Sequence, residues 1–268
     1  MAITHKFSVW SIADLHLSFG IKNKSMEVFG KEWEGWTDKI EKHWRQLISN
    51  EDLVLIPGDM SWAMRLEDVI PDLKWIDRLP GTKVMIRGNH DYWWASKSKV
   101  ENILPKSIHI IQNNAFHFHN VSIGGARLWD TSEYYFSSYI IRKENEKQNA
   151  ISIESEPDSE NEKIFTRELS RLEMSLKEMD KKSTCRIAMT HYPPIGAELK
   201  VSRASDLLEK YHIDVCVFGH LHSVKPHSLP FGEKNKVRYA LTACDYLNFI
   251  PIKIFDSSSI LETTKSYN

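Results

Sequence analysis

Four clusters and one lone histidine place aspartate, histidine and asparagine where an apolar run of the chain gives out. They are Asp14-Leu15-His16, Gly58-Asp59, Gly88-Asn89-His90-Asp91, His191 and Gly219-His220-Leu221-His222. Carboxylate, imidazole and carboxamide together make mixed oxygen and nitrogen shells that suit Mn, Fe, Zn or Ni, and no cysteine sits among them. The same side chains also handle protons. Glycine ahead of three clusters lets the backbone turn sharply and approach a ligand closely. One at a time these are ordinary turn or cap residues. Together they point to one site, because α/β sheets gather their functional groups at the carboxyl ends of strands.

The elements that must position these residues follow from hydropathy patterning. Phe7-Ser8-Val9-Trp10-Ser11-Ile12-Ala13 reads as a buried strand that leaves Asp14 and His16 on one side of its end. Residues 36–49 carry Trp36, Ile40, Trp44, Leu47 and Ile48 at helical spacing, an amphipathic helix on a sheet. Leu53-Val54-Leu55-Ile56-Pro57 is a second strand; a helix follows to about Leu79 with an expected break at Pro71, and Pro80-Gly81 turns into a third strand over 83–87. Three strand-then-helix units predict a largely parallel sheet with right-handed crossovers.

The runs at 108–111, 115–119 and 121–124 predict antiparallel hairpins. His117 and His119 alternate with phenylalanines and are expected on one exposed or hydrogen-bonded strand face. Residues 130–162 read as an insertion. Its aromatic start, Tyr134, Tyr135, Phe136 and Tyr139, is expected to lean over a substrate cleft, and its charged later part to stay mobile. A helix over 162–179 and strands at 186–190, 214–218, 237–243 and 250–255 complete the pattern.

A chain of 268 residues can bury a substantial core, and the expectation is a single domain over 1–268. Its net charge of -1, from 35 basic and 36 acidic residues, creates no global field for nucleic acid or anionic membrane, although a local basic patch stays open. Cys185, Cys216 and Cys244 lie far apart in apolar surroundings and read as reduced core thiols. The first apolar run lacks the features of a cleaved leader, and no run approaches the roughly 20 apolar residues of a spanning helix. A cytoplasmic, soluble protein with no membrane span is the expectation.

In the order Asp-x-His, Gly-Asp, Gly-Asn-His-Asp, His, Gly-His-x-His, the motifs resemble those of the calcineurin-like metallophosphoesterase superfamily, from Asp14 to His222. The resemblance implies an α/β fold, a four-layer α-β-β-α sandwich of two mixed sheets with a dinuclear metal site at the strand carboxyl ends. By motif, Asp14, His16 and His222 would bind one ion, Asn89, His191 and His220 the other, and Asp59 would bridge them. Two divalent ions are therefore expected, manganese first, with Fe, Zn, Ni or Mg as alternatives. His90 would act just outside the metals, on the phosphoryl group or the leaving oxygen, with Asp91 behind it orienting its ring. Two such ions about 3.5 to 4 Å apart can hold a bridging hydroxide at neutral pH for in-line attack.

Departures within the superfamily narrow the substrate. Phosphoprotein phosphatases of this kind carry Asp-Arg-Gly after Gly-Asp, and Asn-His-Glu; here Met60-Ser61-Trp62 follows Asp59 and the other motif is Asn89-His90-Asp91. The resemblance is thus to the phosphodiesterase, nuclease and nucleotide-hydrolase branches. A small phosphodiester or nucleotide is the expected substrate. A nuclease is the alternative and would require a basic groove with steeply salt-dependent activity. A non-catalytic scaffold is disfavoured because every expected ligand is present. Arg65 and Arg127, with Trp62, Trp93, Trp94 and Trp129, are candidate phosphate or leaving-group contacts, core packing being the competing role for each aromatic.

Overall fold

Alternation along short apolar strands builds two sheets that share one core. In the computed structural model, which describes residues 6–141, 159–225, 228 and 231–258, the chain runs β1 (Ser8–Ser11), α1 (Trp36–Leu47), β2 (Leu53–Ile56), α2 (Ile70–Asp77), β3 (Thr82–Met85), α3 (Lys97–Glu101) and β4 (Ile108–Ile110). It continues through β5 (Phe116–Phe118), β6 (Val121–Ala126), α4 (Ser159–Lys177), β7 (Cys185–Thr190), α5 (Arg203–Lys210), β8 (Val215–Phe218), β9 (Glu233–Lys234), β10 (Val237–Leu241) and β11 (Ile252–Asp256). One sheet has the order β11-β1-β2-β3-β4 and the other β5-β6-β7-β8-β10-β9. Neighbours from β1 to β4 are parallel, as are β6, β7, β8 and β10; antiparallel β11, β5 and β9 make both sheets mixed.

Every residue of β2 is buried, and the period of two decides what each one meets. Leu53 and Leu55 join Val84 and Ile86 of the first sheet and Ile187, Met189, Val215 and Val217 of the second, in the core between the sheets. Val54 and Ile56 face outward to Trp36, Ile40 and Trp44 of α1 and Leu73 and Ile76 of α2. On the far side, Ala188, Cys216 and Phe218 meet Leu172 and Leu176 of α4 and Leu208 of α5. The result is the expected α-β-β-α order of layers. Each fully buried Val, Leu or Ile contributes roughly 1.5–3 kcal/mol relative to exposure, so both faces of every central strand are held.

Two local expectations are corrected. Pro71 stands in the first turn of α2 and does not break it, since a proline at a helix start loses no intrahelical bond and already has helical φ. The run at 108–111 forms no hairpin with 115–119: β4 pairs in parallel with β3, and the chain changes sheets beyond it. Asn113 adopts φ 63°, and the Asn114 side chain accepts the Gln112 N–H at 2.8 Å, so the Asn-Asn pair turns the chain toward the second sheet. The β5–β6 hairpin is present. His117 hydrogen-bonds Ser122 at 3.1 Å, whereas His119 lies past β5 at φ 51° and stacks on Phe7.

The three cysteines are buried and unpaired, and among the described residues no helix is long and apolar enough to cross a membrane. Of the residues 130–162, those from 142 to 158 lie outside the described ones, so the expectation for the charged part falls there.

Lys83 is a buried charge in the first sheet, its ammonium donating to the Leu79 carbonyl beyond the end of α2. Burial pushes it down to about 8, against the pull of Asp77. An unfolded lysine titrates near 10.4, so the buried charge costs stability below about pH 8, and that cost is relieved as pH rises toward about 10. Lys83→Met removes the titrating group. In thermal melts of metal-free protein between pH 8 and about 10, the wild-type midpoint should rise relative to that of the variant; parallel curves would show that the ammonium is not effectively buried.

Candidate metal centre

Parallel strands of both sheets end at the same edge of the sandwich, which is why residues far apart in sequence meet there. β1, β2 and β3 lead to Asp14, Asp59 and Asn89, and β7 and β8 lead to His191 and His220. Backbone bonds stitch the ends together: Asp14 N to Gly58 O at 3.1 Å, His16 N to Asp59 O at 3.0 Å and Gly219 N to His191 O at 3.2 Å. Asp14, His16, Asp59 and His220 all adopt left-handed φ, at 59°, 45°, 51° and 72°. Such conformations cost on the order of 1–3 kcal/mol each in non-glycine residues and persist where the surroundings over-determine them. Glycine serves close approach here: a Cβ on Gly88 would lie 2.0 Å from Asp59 Oδ1, and one on Gly219 would lie 2.3 Å from Asp14 Oδ2.

Side-chain donors converge on this edge in two overlapping groups. Asp14, His16 and His222 form one, with His222 Nε2 3.1 Å from His16 Nε2 and 3.6 Å from Asp14 Oδ1. Asp14, Asp59 and His191 form the other. Asn89 Oδ1 lies 2.6 Å from His191 Nε2 and 3.0 Å from His220 Nδ1, which ties the remaining residues to it. Asp59 Oδ2 stands between the groups, 3.9 Å from His16 Nε2 and 3.5 Å from His191 Nε2. All seven expected ligands are therefore brought together. Asp14 reaches both groups, which the motif-by-motif partition does not anticipate.

The electrostatics of the cluster suit a cation. Burial raises Asp14 well above the usual carboxylate range against the pull of His222, and burial likewise raises Asp59 against His90. Burial and the neighbouring imidazoles push His16 and His220 well down. His191 is pushed down to about 3 by burial, against the Pro57 carbonyl, 3.0 Å from its Nδ1. A carbonyl only accepts, so Nδ1 carries the hydrogen and Nε2 of this neutral ring is a bare lone pair. That lone pair lies 2.6 Å from Asn89 Oδ1 and 3.5 Å from Asp59 Oδ2. A divalent ion resolves this crowding, and the mixed oxygen and nitrogen set fits one.

His90 is exposed, and its backbone N–H donates to Asp59 Oδ1 at 2.8 Å. Its ring lies 5.7 Å from that of His16 and 6.2 Å from that of Trp62. Asp91 is fully buried and does something other than orient it. Its carboxylate accepts from Gly88 N (2.7 Å), Asp59 N (2.9 Å), Ser61 N (3.1 Å) and Trp93 Nε1 (3.1 Å), so it pins the Asp59 loop to the Asn89 loop. Burial and the Asp59 charge raise it to about 7.

The other candidate contacts divide. Trp93 and Trp94 are core residues of the first sheet's helical layer. Trp62 donates its indole N–H to His16 Nδ1 and packs beside Phe29 and Lys24 at the rim. Arg65 is exposed. The Arg127 carbonyl accepts from His191 N and Tyr192 N, at 3.1 and 3.0 Å, and its guanidinium stacks on Trp129. The aromatic start of the insertion packs against the second sheet's outer layer: Tyr134 is buried with its hydroxyl on the Pro193 carbonyl, and Phe136 and Tyr139 pack on that layer. Tyr134 thus backs the loop that carries His191.

Two carboxylates escaped the motif reading. Asp245 holds His222 Nδ1 at 3.0 Å and takes the Ser223 N–H at 2.9 Å. Burial alone would lower His222, but Asp245, with Asp14 and Asp59, raises it to about 9. The signal was present, since Asp245 follows the end of an apolar strand as the other site residues do. Asp72 is buried and binds Ser61 Oγ and the Phe19 N–H, joining the loops after β1 and β2, and burial raises it to about 6. Nothing in its helical context marks it.

The family model for calcineurin-like phosphoesterase matches residues 7–224, and the chain belongs to that family. Metal-dependent phosphoester hydrolysis is the chemistry this membership supports. Among solved structures, the chain is similar to the phosphopantetheinyl hydrolase PptH of Mycobacterium tuberculosis, at 12% identity and a TM-score of 0.55, covering 93% of this chain and 96% of that one. It is also similar to AQ665 of Aquifex aeolicus, a protein of unknown function, at 14% identity and a TM-score of 0.47, covering 96% and 99% of the two chains. A search of curated proteins gave no match.

Proposed function

We propose that this protein is a dinuclear metal-dependent phosphodiesterase acting on a small phosphodiester or nucleotide, with residues 1–268 as one catalytic domain. The observation that carries the reading is the convergence of seven oxygen- and nitrogen-bearing side chains from five strand ends, with Asn89 Oδ1 2.6 Å from His191 Nε2 and 3.0 Å from His220 Nδ1. Asp14, His16 and His222 would hold one ion and Asn89, His191 and His220 the other, with Asp59 shared and manganese as the first candidate. When bound, the ions supply Lewis acidity for the phosphoryl oxygens and hydroxide at neutral pH. Asp245 keeps the His222 ring turned so that Nε2 faces the cluster. His90, exposed at the rim, donates a ring proton to the leaving oxygen. Asp91 acts through the Asp59 loop.

Protein stripped with chelator and reconstituted with manganese is expected to bind two ions per chain and hydrolyse bis-p-nitrophenyl phosphate, with p-nitrophenyl phosphate turned over more slowly. Metal analysis and initial rates check this. Binding that saturates at one ion, or two bound ions with no hydrolysis of either ester, would overturn the proposal.

A further inference from the structure

We infer that Arg87 and Arg127 form a second anion subsite beside the metal-binding cluster, so that the substrate carries a phosphate joined to its scissile phosphate through a pyrophosphate link. The inference rests on the phosphodiesterase reading above and names its substrate class. Arg127, Arg167 and Arg171 all reach one carboxylate oxygen of Glu168, at 3.4, 3.9 and 2.6 Å, and Glu168 is only 2% exposed. Three guanidiniums thus gather around a single glutamate, and Arg87 lies within range of the charges of Arg127, Glu168 and Arg171. The Asp91 charge also acts on Arg87, but its carboxylate is already committed to four hydrogen bonds. Arg87 Nε is buried and, among the described residues, has no hydrogen-bond partner. A buried donor without an acceptor is costly, and the guanidinium fork matches phosphate oxygens two at a time.

The position of these arginines selects the kind of anion. Arg87 immediately precedes Gly88 and Asn89, and the Arg127 carbonyl holds the His191 backbone N–H. Both therefore flank the proposed Asn89–His191–His220 site, and an anion between them lies next to the reacting phosphorus. A pyrophosphate link puts its second phosphate in that relation, whereas a carboxylate farther along a ligand does not. Trp129, stacked between Arg127 and Tyr192, walls the subsite on one side.

The test compares two substrates and one binding probe. With manganese-loaded protein, kcat/KM is measured for bis-p-nitrophenyl phosphate, which has one anionic phosphate, and for ADP-ribose, a pyrophosphate diester. Arg87→Met and Arg127→Met are expected to lose at least about tenfold more on ADP-ribose than on bis-p-nitrophenyl phosphate, mainly in KM, as hydrogen bonds to charged groups require. Arg127→Lys should recover part of the loss, and metal content should stay at the wild-type level. Calorimetry on metal-free protein should show inorganic pyrophosphate bound at least about tenfold more weakly by each Met variant than by wild type. Equal losses on both substrates, or loss of metal, would make the arginines supports of the fold and overturn the subsite. Unchanged pyrophosphate binding in both variants would overturn it as well. If wild type hydrolyses bis-p-nitrophenyl phosphate but neither cleaves ADP-ribose nor binds pyrophosphate, the subsite fails and the phosphodiesterase reading stands. If it hydrolyses neither ester with two ions bound, the phosphodiesterase reading fails while the pyrophosphate titration still decides the subsite.

Discussion

Asp59→Asn protein reconstituted with manganese should hold no more than one tightly bound ion per chain and hydrolyse bis-p-nitrophenyl phosphate on the order of 1000-fold more slowly than wild type. Asp59 Oδ2 sits 3.9 Å from His16 Nε2 and 3.5 Å from His191 Nε2, so this carboxylate oxygen lies between imidazoles of the two donor groups. Asparagine keeps the shape and can still accept the His90 N–H, but it lacks the charge that would serve both ions. Metal-free protein should respond in the opposite direction. Asp14 and Asp59 are buried together and each carries a raised value, with Asp59 among the causes of the shift at Asp14, so removing one charge relieves repulsion. The variant's metal-free form should therefore melt higher than wild type, and manganese should stabilise it less. Metal analysis with titration calorimetry, initial rates and paired melts read these effects. Two ions bound with unchanged affinity would remove Asp59 from its shared position.

The candidate ligands were legible because each sits where an apolar strand gives way to a polar turn, a signal carried by the sequence itself. The layers were legible for a related reason: strands such as Leu53–Ile56, apolar on both faces, must be covered on both. Contacts made across the fold were less visible. Asp91 adjoins His90 in sequence, which suggests a partnership, but successive side chains at a sharp turn point apart, and its carboxylate goes to the backbone of the neighbouring Asp59 loop instead. Asp245 showed the same strand-end signal as the ligands but stood outside the ordered motif. The run at 108–111 looked like half of a hairpin because spacing reports a turn and not which sheet the chain enters afterwards. The aromatic start of the insertion read as a cleft wall, whereas Tyr134 is buried against the loop behind His191, where aromatic bulk and one hydroxyl partner serve packing.

His90→Ala separates proton transfer from metal binding. The His90 ring is exposed at the rim, and its link to the cluster is the backbone N–H to Asp59 Oδ1 at 2.8 Å, which alanine retains. The variant should thus keep both ions while kcat falls by about 100-fold or more, the usual range for a positioned general acid. His191→Ala should instead lose metal, because its buried Nε2 is one of the converging donors. The leaving group supplies the finer reading. p-Nitrophenolate departs with little need of a proton and an alkoxide does not, so the loss in His90→Ala should be larger for an alkyl phosphodiester than for bis-p-nitrophenyl phosphate. Asp91→Asn makes the contrast complete: its carboxylate accepts the backbone N–H groups of Gly88 and Asp59, and an amide nitrogen facing either one would set donor against donor. That variant should weaken metal binding and lose activity on both esters alike. If His90→Ala loses as much metal as His191→Ala, the imidazole is a ligand and not the acid; if its loss is independent of the leaving group, the ring binds the phosphoryl oxygens and another group protonates the leaving oxygen.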